Sequence, residues 1–201
     1  MTIDITHMLD SILQSISRID HVKPSDIPDI DLYMDQVTTF MDAQLKASKR
    51  YPDDKILTKT MINNYAKNNL LPPPLKKKYS KEHVLVLIFI YYFKNILSIK
   101  DIETLLKPLL DKYFSNKHDM NLEFIYKEVF NMEKSCVEFL KQDIIQKYQT
   151  ASETFADAKT QDQEFMQLFS FICALSFDVY VKKQLIEKLI DHLPPPPQPS
   201  N

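Results

Sequence analysis

The chain has 201 residues, enough for one large domain or two small ones, and its mean hydropathy of −0.27 is typical of a soluble globular protein. It contains no glycine, which excludes glycine-rich phosphate loops, dinucleotide-binding fingerprints and the nucleophile elbow of α/β-hydrolases. Residues 46–81 hold ten basic and two acidic residues, a net charge of +8, whereas the rest of the chain has a net charge of −10. Such a segment is typical of a polyanion-binding surface, and a solvated lysine-rich face is the alternative.

Two helices are predicted in the N-terminal part. Apolar side chains recur on one helical face between residues 3 and 19, and a loop at 21–31, broken by two prolines, follows them. Asp31 is expected to cap the second helix, which continues to about residue 45. The chain begins with acidic residues and no basic segment, which argues against a signal peptide.

A short third helix is predicted to begin after Thr58, whose hydroxyl can accept a backbone N–H as an N-cap. Its narrow apolar stripe consists of Met61, Ile62 and Tyr65, so most of its surface is expected to be exposed. The polar side chains predicted on that exposed surface are those of Lys59, Thr60, Asn63, Asn64 and Lys67.

A turn and a basic loop follow the third helix. Asn69 is expected to adopt the left-handed conformation that usually falls to glycine at a helix end. The prolines at 72–74 forbid helix and central strand alike, and with no glycine nearby they argue against a two-stranded hairpin. The loop then presents Lys76, Lys77 and Lys78, followed by Tyr79.

Two further helices are predicted after the loop. The fourth, at about 81–95 with Ser80 as its cap, is apolar nearly all round and is expected to be central in its domain; its most apolar run, 84–93, is too short to span a bilayer. Ser98 and Asp101 form a capping box that opens the fifth helix, which Pro108 is expected to bend or divide. The inward residues of the fifth helix are expected to be Ile99, Ile102, Leu105 and Leu106.

Two long helical patterns fill residues 121–193 and are joined at about 149–162. Their inward positions are predicted to be Leu122, Ile125, Val129, Met132, Cys136 and Phe139 in the first, and Phe165, Leu168, Ile172, Leu175, Val179, Ile186 and Leu189 in the second. Two such stripes exceed what one hairpin commonly needs, so we expect homodimerisation through this region. The proline-rich end at 194–201 is expected to be disordered.

Neither metal binding nor catalysis is expected. Cys136 and Cys173 lie among apolar residues at helical spacing and are predicted to be buried structural thiols, which favours a cytoplasmic protein. No two histidines have the spacing of a helical metal site, and no nucleophile–base pair or phosphate loop is evident. We therefore expect no cofactor and no enzymatic activity.

One ordered pattern links the third, fourth and fifth predicted helices. It consists of Leu57-Thr58, Met61-Ile62, Tyr65, Asn69-Leu70-Leu71-Pro72, Tyr79-Ser80 and Ser98-Ile99-x-x-Ile102-x-x-Leu105-Leu106. This pattern, about a quarter of the chain, resembles the winged helix-turn-helix DNA-binding domain of MerR-type regulators. The whole chain resembles a bacterial family of unassigned function that carries such a domain. The resemblance implies binding to double-stranded DNA and transcriptional regulation.

The residues also support a physical reading of DNA binding. Asparagine side chains can bond adenine edges, whereas lysine and threonine can bond phosphates. In MerR-type domains an Arg-Tyr pair stands where this chain has Asn63-Asn64, and a glycine stands where it has Asn69. The change at Asn69 is physically tolerable. The departure at Asn63-Asn64 and the short, glycine-free wing favour the alternative of a helical protein-protein interaction module that has lost DNA binding.

We therefore expect a mainly α protein with N-terminal helices and an atypical winged helix-turn-helix at 1–112, and a helical dimerisation or effector region at 113–193. The expected function is that of a DNA-binding transcriptional regulator that acts as a homodimer without a membrane partner. The candidate DNA-binding residues are Thr58, Lys59, Thr60, Asn63, Asn64, Lys67, Lys76, Lys77, Lys78 and Tyr79.

Overall fold

The computed structural model describes residues 5–16, 22–115 and 120–193, and over these ranges the protein is mainly helical, as predicted. The described part contains α1 (Ile5–Ile16), α2 (Met34–Gln44), α3 (Lys59–Lys67), α4 (Lys81–Phe93), α5 (Ile99–Tyr113), α6 (Leu122–Ser152) and α7 (Thr160–Asp191). Two short strands, β1 (Leu32–Tyr33) and β2 (Lys78–Tyr79), pair antiparallel. The tail at 194–201, predicted to be disordered, lies outside the described residues.

The chain divides into two compact units. The larger unit comprises the described residues of 22–130 and 186–193, and the smaller unit comprises those of 5–16 and 131–185. These bounds differ from the boundary expected near residue 112, because the beginning of α6 packs into the core of the larger unit. The rings of Tyr126 and Phe130 lie 5.4 and 5.7 Å from that of Phe89 on α4.

Helix α4 is the central element of the larger unit. All nine residues from His83 to Tyr91 are buried, as expected for a helix that is apolar nearly all round. Lys94 follows this helix, and its Nζ donates a hydrogen bond to the carbonyl of Ile56 at 2.7 Å and lies 4.8 Å from the centre of the Tyr91 ring. Burial lowers the pKa of Lys94.

Three predicted helix caps are confirmed. Thr58 caps α3, and its hydroxyl accepts the N–H of Met61 at 3.2 Å; Ser98 caps α5, and its hydroxyl accepts the N–H of Asp101 at 3.1 Å. Ser80 caps α4 in a reciprocal capping box.

The cap predicted for α2 was wrong. Strand β1 separates Asp31 from the helix, and Tyr33 occupies the N-cap, with its N–H donating to Gln36 Oε1 at 2.8 Å. The pairing of β1 with a distant strand is a tertiary contact that local capping rules do not contain.

Helix α5 continues through Pro108 without being divided. Ile102 and Leu106 are buried and Leu105 is half-buried, as predicted, but Ile99 is 44% exposed. The prediction for Ile99 was wrong: this residue is the first of the helix and is exposed, although its position places it on the same helical face as Ile102, Leu106 and Leu110.

The smaller unit contains α1 and the parts of α6 and α7 from residue 131 to 185. Its core is formed by Leu9, Ala151 and Phe171, with Leu13, Ile144, Tyr148 and Leu175 packed against them. Many apolar side chains predicted to point inward are instead exposed: Val129 and Leu189 in the larger unit, and Met132, Phe139, Phe165, Ile172 and Val179 in the smaller one. Apolar spacing therefore marks surfaces here that a single copy of the chain leaves uncovered.

Both cysteines also contradict their prediction. Cys136 on α6 and Cys173 on α7 are exposed free thiols, not buried structural ones. Their apolar neighbours in sequence belong to the same uncovered surfaces. Helical spacing alone therefore led to the wrong prediction that these thiols are buried.

Helix α7 has the length and composition of a membrane span. Between Asp162 and Asp191 it contains an 18-residue window with a mean hydropathy of 1.4, of which 6% is buried. In this exposure α7 differs from α4, whose apolar residues are covered by the rest of the larger unit.

Candidate nucleic-acid interface

Helix α3 presents one continuous polar stripe. Its opposite side is anchored by Ile62 and Tyr65, which are 0% and 4% exposed, and burial raises the pKa of the Tyr65 hydroxyl. Four predicted site residues are exposed at positions i, i+3, i+4 and i+7 and therefore share one helical face. They are Thr60, Asn63, Asn64 and Lys67.

The two asparagines on this stripe have available amide groups. Asn63 and Asn64 are exposed, and within the described residues neither side-chain amide has a hydrogen-bond partner. The backbone carbonyl of Asn64 accepts Nδ2 of Asn68 at 2.8 Å, which ties down the last turn of α3. Each amide can therefore offer one donor and one acceptor group to the edge of a base.

The end of α3 follows the prediction. Asn69 has φ of 56°, the left-handed conformation expected where glycine is absent, and its N–H donates to the carbonyl of Ala66 at 3.3 Å. The N–H of Leu70 donates to the carbonyl of Tyr65 at 2.9 Å. This closed turn directs the chain into the proline segment and fixes where the basic loop begins.

The basic loop forms a tight turn with two lysines at its tip. The N–H of Lys78 donates to the carbonyl of Leu75 at 2.9 Å, and Lys76 and Lys77 have φ of 48° and 64°. Two central residues with positive φ define a type I′ turn, which usually contains Asn-Gly. Leu75 and Lys78 form a single antiparallel bridge across this turn, whereas strand β2 pairs with β1, so the loop has a hairpin-type turn without the two-stranded hairpin that the sequence argued against.

The turn continues into the strand pair. Lys78 faces Tyr33 and Tyr79 faces Leu32 across the β1–β2 ladder. Tyr79 and Leu32 are buried, whereas the Lys78 ammonium lies 5.2 Å from the centre of the exposed Tyr33 ring. Tyr79 is thus a core residue, and burial raises the pKa of its hydroxyl. Tyr79 was predicted to bind DNA as the residue that ends the basic wing, but alternation along the strand turns its side chain inward.

Tyr33 was missed by the sequence reasoning. It is 53% exposed, and it lies under Lys78, so an aromatic ring accompanies the basic turn on the surface. Only the pairing of β1 with β2 brings Tyr33 to this position, and no local pattern around residue 33 indicates it.

Thr58 and Lys59 are already engaged within the protein. The Thr58 hydroxyl accepts the N–H of Met61 and so has a structural role in beginning α3. Lys59 forms an ion pair with Asp35 on α2 while 60% of its side chain stays exposed. Any contact of Lys59 with a polyanion would therefore compete with Asp35.

Most of the basic segment remains uncompensated by carboxylates. Lys49 pairs with Asp42 at 2.7 Å, and Lys81 pairs with Asp29 and Glu123 at 3.3 and 3.2 Å. Seven basic side chains of residues 46–81 have no carboxylate partner in the described part of the chain: Lys46, Arg50, Lys55, Lys67, Lys76, Lys77 and Lys78. The positive charge seen in the sequence thus persists after internal pairing.

A buried histidine joins this loop to α4. His83 is 5% exposed, its Nδ1 accepts the N–H of Ser80 at 3.0 Å, and its ring makes edge contacts with Tyr79 and Phe114 at 5.5 and 4.8 Å. Burial, the largest effect, lowers the pKa of His83. The capping-box position three residues after Ser80 was the sequence signal for this role, but His is not among its usual residues.

The described residues contain no group of His, Cys, Asp and Glu side chains arranged to hold a metal ion.

Comparison with known protein families matches residues 22–129 to a domain of unknown function, DUF1836. No curated protein and no solved structure matches the chain. The matched range spans more than half of the 201 residues and includes α2 to α5, both strands and every candidate residue above. The expected membership of a family of unassigned function is thereby confirmed: the chain belongs to the DUF1836 family.

Proposed function

We propose that the DUF1836 region is an atypical MerR-like winged helix-turn-helix that binds double-stranded DNA. The observation that carries this proposal is the exposed polar stripe of α3, in which Thr60, Asn63, Asn64 and Lys67 share one face. A helix that is anchored by a narrow apolar side and leaves its polar side free has the form of a recognition helix in a major groove.

We assign the recognition of bases and the contacts with phosphates to different residues. The amides of Asn63 and Asn64 would bond adenine edges, while Thr60 and Lys67 would bond phosphates at the margins of the groove. The Lys76-Lys77 turn would act as a short wing that adds affinity without reading sequence. Its conformation supports this role, because two non-glycine residues with positive φ persist only where the fold or the function favours them.

We further propose that the protein acts as a homodimeric transcriptional regulator in the cytoplasm. Helix-turn-helix proteins gain affinity and specificity by placing two recognition helices on two half-sites. The uncovered apolar surfaces of α6 and α7 supply area for such a dimer outside the DUF1836 region.

A second candidate function is a protein-protein interaction module that has lost DNA binding. The Lys59–Asp35 ion pair favours it, because a basic residue at the start of the recognition helix is already compensated. In this case the exposed apolar residues of α6 and α7, and not the α3 stripe, would form the functional surface.

The test is selection of bound fragments from the source genome, followed by fluorescence anisotropy on the selected duplex at several salt concentrations. DNA binding predicts an enriched site, an affinity that falls steeply with salt, and a loss of affinity in Lys67→Ala. Lys159→Ala, which removes an exposed lysine of the α6–α7 connection, serves as the control and should bind normally. No enrichment and no binding at low salt would favour the interaction module.

A further inference from the structure

The exposed side of α7 carries a long surface without charge. Between Phe165 and Val181 there is a single charged residue, Asp178, and its carboxylate is bound by Lys147 of α6 at 2.9 Å. The row with i, i+4 spacing along this stretch is exposed throughout and consists of Phe165, Phe169, Cys173, Phe177 and Val181. Such a row is one of the ridges by which helices pack.

This row is symmetric about its central residue. Cys173 lies eight residues from Phe165 and eight from Val181, with one phenylalanine, Phe169 or Phe177, between it and each end. If a second α7 ran antiparallel across this row, Phe169 would meet Phe177 of the other copy. The two Cys173 residues would then lie together at the two-fold axis. A self-complementary surface of this kind is what a two-fold dimer requires.

The charges at the two ends of the row favour the antiparallel direction. Asp162 and Glu164 precede Phe165, whereas Lys182 and Lys183 follow Val181. The Lys182 ammonium lies 3.7 Å from the Asp178 carboxylate, but its side chain is 63% exposed. An antiparallel pair brings each acidic end near the basic end of the other copy, and it also opposes the two helix dipoles. A parallel pair would place acid beside acid and lysine beside lysine.

The available area also fits a second copy. Phe165, Phe169, Phe177 and Tyr180 are between 54% and 66% exposed, so each offers roughly 100 Å² of a ring that covers 150–250 Å² when fully buried. The four rings together offer roughly 400 Å², about half of the roughly 800 Å² that one partner contributes to an interface of ordinary size, and the exposed side chains of Ile172 and Val179 add to it.

The other side of α7 argues against a membrane as its partner. Gln167 Nε2 donates to the carbonyls of Ser152 and Thr154 at 2.6 and 3.1 Å, and Asp178 pairs with Lys147. Insertion into a bilayer would either break these polar contacts or carry the charged side chains of α6 into the hydrocarbon region.

We propose that two copies of this chain pair through the Phe165–Val181 row of α7, antiparallel and with Cys173 at the two-fold axis. This inference rests on the dimer of the proposed function and names its interface, but it does not depend on DNA binding. If the α7 pairing is not found but the protein still binds DNA, the proposal for the α3 recognition helix stands. If the protein does not bind DNA but the α7 pairing is found, the pairing proposal stands.

The decisive experiment is oxidative cross-linking of the 201-residue chain in a background with Cys136→Ser and Cys173→Ser. Phe169→Cys and Phe177→Cys variants are oxidised alone and as a refolded mixture. The antiparallel pairing predicts a covalent dimer only in the mixture, because residue 169 faces residue 177 of the other copy. Cross-linking of each variant alone, with none added by mixing, would show a parallel arrangement and overturn the proposal.

A second measurement keeps the proposal testable if the cysteine variants fold poorly. Phe169→Glu should reduce the mass in sedimentation velocity from dimer to monomer while the helical circular dichroism is retained, since Phe169 is exposed in the protomer. Phe139→Glu, a change at another exposed phenylalanine on α6 outside the row, should remain dimeric. A wild-type monomer that co-sediments with phosphatidylcholine–phosphatidylglycerol vesicles would overturn the proposal and establish a membrane surface instead.

Discussion

The imidazole Nδ1 of His83 accepts the backbone N–H of Ser80 at 3.0 Å, and this hydrogen bond fixes the protonation state of a buried ring. A backbone N–H can only donate, so Nδ1 carries no hydrogen and the proton lies on Nε2. In the described residues Nε2 makes no hydrogen bond, although the carbonyls of Pro72 and Pro73 lie close enough to influence its titration. If the ring bound a second proton at Nδ1, that N–H would face the backbone N–H of Ser80, and two donors would oppose each other at the start of α4.

We predict that this histidine makes the protein less stable in mild acid. The pKa of His83 is lowered in the folded state, mainly by burial, from an ordinary value of 6.5. At pH values between the lowered pKa of folded His83 and the ordinary value of 6.5, the unfolded chain binds more protons than the folded protein. The contribution of neutral His83 to the free energy of unfolding is therefore fully present above pH 6.5 and is lost as the pH falls below it. His83→Gln retains an acceptor for Ser80 without titrating, so its melting temperature should fall less than that of wild type from pH 7.5 to 5.5. Parallel pH profiles would contradict this role.

We predict that the affinity for the selected DNA falls steeply with salt. If a dimer binds roughly 4–6 phosphates, the plot of log affinity against log salt concentration should have a slope of about −4 to −5. Fluorescence anisotropy between low and physiological salt measures this slope. An affinity that barely changes over that range would show that the basic segment does not bind phosphates.

We predict that α3 and the lysine turn fail in different ways. Asn63→Ala or Asn64→Ala should remove hydrogen bonds to bases worth about 1–3 kcal/mol of discrimination and leave the salt slope unchanged. Lys76→Ala together with Lys77→Ala should weaken binding to cognate and scrambled duplexes alike and flatten the slope by about one for each phosphate that is no longer bound. An unchanged specificity ratio in both asparagine variants would show that α3 is not the reading helix.

We predict that the lysine turn sacrifices stability. Lys76→Asn with Lys77→Gly supplies the residues that a type I′ turn prefers at the two positions of positive φ. The substitutions relieve backbone strain at two positions, which stabilises the folded state, but glycine also gives the unfolded chain more conformational freedom. The net effect should be an increase of about 1 kcal/mol in the free energy of unfolding. Urea denaturation measures the gain, and DNA affinity should fall in the same variant because two charges are removed. Reduced stability would show that the lysines make contacts that favour this turn.

We predict opposite outcomes for two neighbouring residues of α6. Phe130 is 5% exposed and packs against Phe89, so Phe130→Ala should cost about 3–5 kcal/mol of unfolding free energy. Val129 is 42% exposed, so Val129→Asp should change stability by no more than about 0.5 kcal/mol. Thermal melts of the two variants at equal concentration test the assignment. A severe loss from Val129→Asp would place that side chain in an interface.

Local features of the fold were accessible from the sequence. Thr58, Ser80 and Ser98 begin helices because a side-chain oxygen next to the first turn satisfies N–H groups of that same turn. The left-handed Asn69 and the buried α4 likewise follow from short stretches of sequence. In each case the interacting groups lie within a few residues of one another.

The errors arose where distant residues decide the outcome. Tyr79 is buried and Tyr33 is exposed beside Lys78 because β1 pairs with β2, a pairing that no pattern in either segment specifies. Cys173 and Phe165 have the spacing of core residues, but spacing indicates only that a face is apolar and not which surface covers it. The exposed stripe of α3 was predicted because its narrow apolar side is a local property.

The pairing of Leu32 with Tyr79 has a consequence for the order in which the protein folds. These strands enclose all of α2 and α3, so their ladder closes a long loop for very few backbone hydrogen bonds. Because the entropy of closing such a loop must be offset before the contact stabilises the protein, we expect this pairing to form after the helices between the strands have packed. During synthesis, at roughly 5–20 residues per second, the end of α3 therefore leaves the ribosome about 0.6–2.4 seconds before residue 79 emerges and the lysine turn can be held in place. A nascent chain would present its polar helix first and acquire its wing afterwards.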